Sequence, residues 1–310
     1  TLMSGKWHLG ETADEMPDKH GFQRSFSLAA SGADNWQDKS YLPYYHDAPW
    51  WEDGEETSLP DDFYSSRFLV DKSIEFIGSN LADKQPFFAY LPFQAVHIPV
   101  QAPQAFIDRY MGVYDEGWDV LREQRRARSV ALGLVPANAA IDRMPTTGDW
   151  AALSDERRRY EAKRMAVYGG MVEAMDHHLG RLFDYLKAVG QYDNTLIIFT
   201  SDNGAEASGP DDPHSFVGRQ GPNSLGYTLD YETLGLKGSY NTISPSFASA
   251  AASPLSLFKF YAAEGGMRVP MIVAGPGVRQ QQVSAPCSLV DLLPTFVEAT
   301  GIEGDLGMPV

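Results

Sequence analysis

The sequence predicts an α/β fold, a central sheet flanked by helices, from two observations. Short apolar runs alternate with amphipathic helical stretches, and loops rich in Gly, Pro and Ser separate them. The clearest apolar runs, residues 87–91, 196–200 and 269–274, are continuous rather than alternating, as in strands covered on both faces. We therefore expect these three strands to share one mostly parallel sheet.

The longest predicted helix covers about residues 154–189. Ser154 is placed to cap its first turn, and Gly190 stands just beyond its last turn. Its apolar residues recur at spacings of three and four, which places them on one face: Val172, Met175, Leu179, Leu182, Phe183 and Leu186. The opposite face carries a basic run that we expect to be solvated: Arg157, Arg158, Arg159, Lys163 and Arg164.

A second helix is predicted over residues 62–79, where Asp61 and Asp62 stand at the start, the end that favours carboxylates. Three long stretches show no clear period: residues 11–60, 137–149 and 206–256. Loops of such length are uncommon unless they carry function or cover a site, and we expect irregular structure in all three.

Composition narrows the class of partner. The 310 residues include 25 Lys plus Arg and 41 Asp plus Glu, a net charge of −16. This charge repels nucleic acid and anionic lipid surfaces, so we expect a small-molecule partner. No apolar run approaches the roughly 18 residues of a membrane span. The single cysteine, Cys287, excludes an internal disulfide and a multi-cysteine zinc site, and we expect it to be a small buried residue.

Polar residues cluster around the predicted strands, where ligands of open α/β sheets bind. Asp202 and Asn203 follow residues 196–200, His97 follows 87–91, and Lys259 precedes 269–274. Each has an ordinary alternative: Asp, Asn and Gly after a strand form common turns, and a lone His is often a hydrogen-bonded loop residue. Near the chain start, Lys6 and His8 are spaced to share one face of a strand.

Taken together, these residues predict a site for hydrolysis of an anionic ester. Asp202 and Asn203 offer hard oxygen ligands for Ca²⁺, with Mg²⁺ as the alternative. Lys6 and Lys259 would neutralise the oxygens of a sulfate or phosphate. The two histidines would supply one acid and one base near neutral pH.

The sequence resembles sulfatases of the bacterial arylsulfatase type, in the alkaline-phosphatase-like superfamily. The resemblance is carried in order by residues 5–10 (GKWHLG), 87–103 with Val96-His97-Ile98-Pro99, 168–176, 180–182, 194–204, Lys259, 264–270 (EGGMRVP) and 291–295 (DLLPT). It implies an alkaline-phosphatase-like fold, one catalytic domain over residues 1–310, and a sulfate ester as the small-molecule substrate.

The resemblance also implies a role for each site residue. Asp202 and Asn203 match metal ligands, Lys6 the lysine beside the nucleophile, and Lys259 the lysine that holds sulfate oxygens. His97 matches the residue that protonates the leaving alcohol, and His8 the residue that helps the covalent sulfate intermediate to collapse. The family's nucleophile is a formylglycine made from Cys or Ser in a Cys/Ser-x-Pro-x-Arg motif.

This motif does not occur in the sequence, where Cys287 is followed by Ser288-Leu289-Val290-Asp291. The family's acidic metal pair is unmatched as well. The resemblance places both upstream of residues 5–10, so we expect a partial domain, lacking the first strand and inactive alone. Two alternatives stay open: a phosphonate or phosphate ester hydrolase of the same superfamily, and a non-catalytic sulfate- or glycan-binding homologue. The family is often exported in bacteria, to the periplasm or beyond, but a cytoplasmic location and any oligomeric state stay open too.

Overall fold

A five-stranded mixed sheet lies at the centre of the protein, whose structure, a computed structural model, describes residues 1–42, 45, 47–141, 143–209 and 222–303. Its strands are β1 (Leu2–Lys6), β2 (Arg24–Leu28), β3 (Trp50–Glu52), β4 (Glu55–Thr57) and β5 (Ala89–Tyr90), in the order β4-β3-β2-β1-β5. β1 runs parallel to both of its neighbours, β2 and β5, whereas β3 runs antiparallel to β2 and to β4. The predicted α/β class is confirmed, but this sheet is mixed rather than mostly parallel.

The other two predicted strands form a separate ladder within the described residues. β6 (Ile197–Thr200) pairs antiparallel with β7 (Met271–Ala274), with Thr200 opposite Met271. The expectation that they share one parallel sheet with residues 87–91 is therefore wrong for the described chain. Nor are they covered on both faces, since Ile272 is 62% and Phe199 40% exposed. A continuous apolar run indicates that both faces of a strand are apolar, but it does not indicate which strand is its hydrogen-bonding neighbour.

The described helices are α1 (Ser65–Asn80), α2 (Gln104–Ile107), α3 (Gly117–Ala131), α4 (Asp155–Ala188), α5 (Ser244–Ala252), α6 (Glu264–Met267) and α7 (Leu292–Thr300). The ends of α4 agree with the prediction. The Ser154 hydroxyl accepts a hydrogen bond from the Arg157 amide at 3.2 Å, and Gly190 adopts φ 71° just after the helix. α1 begins at Ser65, so Asp61 and Asp62 lie in the turn before it.

The basic run on α4 is not fully solvated. Lys163 and Arg164 are buried, and the Arg164 Nε donates to the Thr242 carbonyl oxygen at 2.6 Å. The Lys163 ammonium donates to the Tyr231 carbonyl oxygen at 2.5 Å. The stretch at residues 227–243 covers this part of the helix, so the charged groups serve as donors to carbonyls that water would otherwise satisfy.

Two of the three stretches predicted to be irregular contain regular elements. Residues 11–60 hold β2, β3 and β4, and β2 escaped prediction because Ser25 and Ser27, both buried, alternate with its apolar residues. Phe26 of β2 stacks on Trp50 of β3 with ring centroids 5.0 Å apart, which anchors this side of the core. Residues 206–256 include α5, and their middle, residues 210–221, lies outside the described residues. The described part of 137–149 has no helix or strand.

Cys287 is exposed, so its predicted burial is wrong; residues 279–291 around it all lie on the surface. Among the helices of the described chain, none combines the length and apolarity that crossing a membrane requires.

Candidate active site

Lys6 is the last residue of β1, an interior strand of the central sheet, and lies at its carboxyl end. Its amide donates to the Pro92 carbonyl oxygen at 2.8 Å, and the amide of Trp7 donates to the Leu28 carbonyl oxygen at 2.9 Å. The preceding Gly5 has φ 148°, and a Cβ on it would stand 2.1 Å from the Pro92 oxygen. Only glycine allows these two backbone segments to approach so closely. This approach fixes the position from which the Lys6 side chain leaves the sheet.

His8 does not share a strand face with Lys6, contrary to the prediction. β1 stops at Lys6, and His8 adopts a left-handed conformation with φ 57° and an exposed side chain. The turn is held by Trp7, whose indole N–H donates to the Glu15 carbonyl oxygen at 2.8 Å. The strand ends two residues before His8, so the alternation of a strand no longer places this side chain.

His97 lies in the loop after β5, with a partly buried ring. Its amide donates to the Gln94 carbonyl oxygen at 2.7 Å, and its Nδ1 lies 2.9 Å from the Ile98 carbonyl oxygen. Because a carbonyl oxygen only accepts, Nδ1 carries the proton and Nε2 is left with its lone pair when the ring is neutral. The Tyr41 ring packs edge-on at 5.5 Å between centroids and fixes the ring plane.

Two loops that follow β6 and precede β7 carry the remaining predicted residues. Asp202 and Asn203 stand in the turn directly after β6, and Lys259 lies in the loop before α6. The Gly204 amide donates to the Gly266 carbonyl oxygen at 2.9 Å, and the Lys259 amide to the Ala205 carbonyl oxygen at 3.0 Å. These backbone bonds join the two loops, so Lys259 lies beside the turn that holds Asp202.

Glu206 is a further residue of this site, and it is not among the residues predicted from the sequence. Its side chain is buried, and Oε2 lies 2.8 Å from the Lys259 Nζ while Oε1 accepts from the Ser208 amide at 2.7 Å. It stands three residues after Asn203, in the segment after β6 where polar residues were expected. The same criterion that selected Asp202 and Asn203 could have selected it.

The charged groups of the site shift one another's pKa values. Burial, and after it the charge of Lys259, lowers the pKa of Lys6 to about 8, against the opposing effect of Asp202 and Glu206. Burial and then the charges of Lys6 and Lys259 lower the pKa of His97 to about 4.

The pKa of His8 is lowered as well, by the partial burial of its mostly exposed ring and then by the charges of Lys6 and Lys259. Across the site, burial followed by the charge of Asp202 raises the pKa of Tyr90 on β5. The ends of β1, β5 and β6 therefore meet at one place, where two lysines face two carboxylates and two histidines.

The fit of a divalent cation rests on Asp202 and Asn203. Asp202 is exposed, and its carboxylate has no hydrogen bond or ion pair with the described residues, so its oxygens are open to a ligand. A carboxylate and an amide oxygen suit hard cations, but Ca²⁺ takes six to eight oxygen ligands. The described chain brings no three His, Cys, Asp or Glu side chains together around a metal position. These two residues fit part of a calcium site.

A family model and two related sequences all identify sulfatases as the relatives of this chain. The family model described as Sulfatase matches residues 1–302. The sequence is 38% identical to an uncharacterized sulfatase of Schizosaccharomyces pombe, over 96% of this chain and 55% of that protein. It is 34% identical to an arylsulfatase of Klebsiella aerogenes, over 98% of this chain and 65% of that enzyme. The chain thus spans little more than half the length of the first relative and about two thirds of the second.

The fold of this chain is similar to that of several solved structures. The crystal structure of Ps i-CgsB in complex with k-i-k-neocarrahexaose matches with a TM-score of 0.61 at 24% identity, covering 99% of this chain and 52% of that one. The structure of BT4656 with D-glucosamine-2-N,6-O-disulfate matches with a TM-score of 0.53 at 18% identity, covering 98% of this chain and 59% of that one. These matches show the fold alone, and they confirm the expected alkaline-phosphatase-like architecture.

Proposed function

Because the chain belongs to the sulfatase family, we propose that the protein hydrolyses sulfate esters at the cluster formed by Lys6, His97 and Lys259. The observation that carries the proposal is the convergence of two lysines at a partly buried position next to two histidines. Such a position suits an anionic ester whose reacting centre gains negative charge on its oxygens.

Lys6 and Lys259 bind the sulfate group. Each ammonium group stabilises oxygens whose charge increases in the transition state, and partial burial strengthens the attraction because the local dielectric is low. Lys6 is held by the backbone bond of its own amide to Pro92, and Lys259 by its backbone bond to Ala205. The backbone of both lysines is therefore fixed, and the Lys259 ammonium is also held by Glu206 at 2.8 Å, which reduces the reorganisation needed at Lys259 during the reaction.

His97 is placed to hold the proton that the leaving alcohol needs. With Nδ1 donating to the Ile98 carbonyl oxygen, Nε2 is the nitrogen that can deliver a proton. The pKa of about 4 keeps His97 neutral in the free site at neutral pH. A bound sulfate group offsets the charges of Lys6 and Lys259, so it raises the pKa of His97 and favours the protonated form that acts as general acid.

His8 serves as the proton acceptor when sulfate is released. Its exposed ring, with a lowered pKa, is neutral at neutral pH, the form in which an imidazole accepts a proton.

Asp202 and Asn203 would hold a divalent cation, Ca²⁺ or Mg²⁺, as their oxygen donors suggest. When bound, such a cation supplies positive charge that neutralises sulfate oxygens. The formylglycine nucleophile fits no residue between 1 and 310, because Cys/Ser-x-Pro-x-Arg is absent from the sequence. We therefore assign it to a Cys or Ser outside these residues and expect residues 1–310 to be inactive alone.

The proposal is tested with the full-length gene product, assayed with 4-nitrophenyl sulfate, 4-nitrophenyl phosphate and a 4-nitrophenyl phosphonate. We expect the sulfate ester to have the highest kcat/KM, and residues 1–310 alone to turn over none of the three. Preference for the phosphate or phosphonate ester would establish the related hydrolase instead, since two lysines also suit those groups. Sulfate binding without turnover of any ester would establish a binding protein.

A further inference from the structure

The partner of Lys259 is a second functional feature of the site. The Lys259 Nζ lies 2.8 Å from the Glu206 Oε2, with the lysine side chain 19% and the glutamate side chain 8% exposed. A buried ion pair is costly unless its remaining hydrogen-bonding capacity is met. Here the other carboxylate oxygen, Oε1, accepts from the Ser208 amide at 2.7 Å.

Glu206 stays ionised in this environment. Burial alone would raise the pKa of its carboxyl group, but the charge and hydrogen bond of Lys259 and the hydrogen bond from Ser208 hold it below the usual value. The carboxylate is therefore present as a fixed negative charge next to a lysine that binds the sulfate group.

The backbone makes this pair rigid. The Lys259 amide donates to the Ala205 carbonyl oxygen, one residue before Glu206, so main chain and side chain join the two loops at the same point. A Cβ on Gly204 would stand 1.8 Å from the Gly265 carbonyl oxygen, which shows how tightly these loops pack. Lys259 is thus held at both ends, its backbone by the hydrogen bond to Ala205 and its ammonium group by Glu206.

The charge of Glu206 also reaches the other groups. It opposes the lowering of the pKa of both Lys6 and His97. Glu206 therefore cancels part of the positive field of the two lysines at the position of the bound ester. A sulfate monoester carries one negative charge, whereas a phosphate monoester carries close to two at neutral pH. A weaker positive field costs the doubly charged ester more binding energy than the singly charged one.

We propose that Glu206 is a positioning residue that fixes the Lys259 ammonium, and that its charge makes the site favour a singly charged ester over a doubly charged one. This inference rests on the proposed sulfate ester hydrolysis and names a determinant of its specificity. Glu206 acts through Lys259 and through the field, not by contact with the reacting atoms.

Two substitutions separate the effect of the Glu206 charge from the effect of its side-chain length. Glu206→Gln keeps the length and removes the charge, whereas Glu206→Asp keeps the charge and shortens the side chain by one methylene. The measurement is kcat/KM for 4-nitrophenyl sulfate and 4-nitrophenyl phosphate, with the full-length protein at about pH 7, where the phosphate ester carries close to two charges and Lys6, with its pKa of about 8, stays mostly charged. Glu123→Gln is the matched control, because Glu123 is an ion-paired glutamate on α3 with a side chain 52% exposed.

We expect Glu206→Gln to lower the sulfate-to-phosphate ratio of kcat/KM by on the order of tenfold, since one charge is removed beside the ester. Glu206→Asp should lower kcat/KM for both esters but keep the ratio within about twofold of the wild type. Glu123→Gln should change neither value. An unchanged ratio in Glu206→Gln, whether activity is retained or lost equally on both esters, would overturn the inference.

The two proposals fail in different ways. If the wild-type protein hydrolyses neither ester, the proposed function fails, and the inference is tested by calorimetry with phenyl sulfate and phenyl phosphate as ligands. Glu206→Gln should then shift the relative affinity toward phenyl phosphate, and an unchanged relative affinity would overturn the inference.

Discussion

The amide of Lys6 donates a hydrogen bond to the carbonyl oxygen of Pro92, 2.8 Å away, and this bond joins the end of β1 to the segment that leads to His97. The contact requires glycine at position 5, because a Cβ there would meet the Pro92 oxygen at 2.1 Å. The positions of Lys6 and His97 therefore depend on a residue without a side chain.

Gly5→Ala should destabilise the protein by roughly 1–3 kcal/mol, since overpacking and an unfavourable φ act together. Gly180→Ala is the matched control, because a Cβ at Gly180 meets nothing within 4 Å and the residue lies inside α4. Alanine is the better helix former, so the control should be neutral or slightly stabilising. Urea denaturation of both variants measures the difference, and equal stability would show that the approach of β1 to Pro92 is not tight.

Stability should decrease as the pH falls below 6.5, partly because of His178. Burial, followed by the charges of Arg181 and His177, lowers the pKa of this buried residue from 6.5 to about 4. Between these values the unfolded chain binds a proton that the folded chain does not, so the free energy of unfolding falls as pH falls from 6.5 to 4. Thermal unfolding at a series of pH values should show this slope.

His178→Leu should flatten that slope, whatever its effect on stability at neutral pH. Leu182→Ala removes packing from the same face of α4 without removing a titrating group, so it should lower the melting temperature at every pH and keep the slope. If the slope of His178→Leu matches the wild type, the pH dependence arises elsewhere.

Calcium should raise the melting temperature of the full-length protein through Asp202. A ligand at a hundred times its dissociation constant stabilises the native state by about 2.7 kcal/mol. Asp202→Asn should reduce the calcium-induced shift, whereas Asp193→Asn, an exposed carboxylate before β6, should keep it. An undiminished shift in Asp202→Asn, or no shift in the wild type, would contradict the assignment of Asp202 as a metal ligand.

His97→Ala should lower kcat/KM most for substrates whose leaving groups are basic. General acid help is worth about a hundredfold or more where the leaving oxygen is basic, and much less for an activated phenol. The measurement is log kcat/KM for a series of substituted phenyl sulfates against the pKa of the leaving phenol. The variant should have a steeper dependence than the wild type, and His177→Ala, at an exposed residue of α4, should not. Parallel lines for His97→Ala and wild type would exclude proton donation by His97.

The sequence predicts the features that depend on local chemistry. Ser154 and Gly190 mark the ends of α4 because capping needs only the residues next to the helix. The candidate residues could be selected because strand ends are where ligands bind in α/β folds. The charge of Lys259 lowers the pKa of both Lys6 and His97, so these three residues lie near one another, and their roles stay predictions.

Features that depend on distant neighbours were not predictable. The apolar runs of β6 and β7 do not encode that these strands pair antiparallel with each other. The sequence predicts a solvated helix face at Lys163 and Arg164, because it does not show that residues 227–243 cover them. Glu206 follows β6 as Asp202 and Asn203 do and could have been selected with them, but its ion pair with Lys259, at 2.8 Å, forms only when folding brings the two loops together.

The turnover of 4-nitrophenyl sulfate by Lys259→Ala is the decisive measurement for the proposed sulfate site. Lys187→Ala serves as the control, since Lys187 is an exposed lysine at the end of α4. In the full-length protein, Lys259→Ala should lower kcat/KM by on the order of a hundredfold, as loss of an oxyanion-stabilising group does, and Lys187→Ala should leave it unchanged. Near-normal turnover by Lys259→Ala would contradict the assignment of this lysine, and with it the proposed sulfate site.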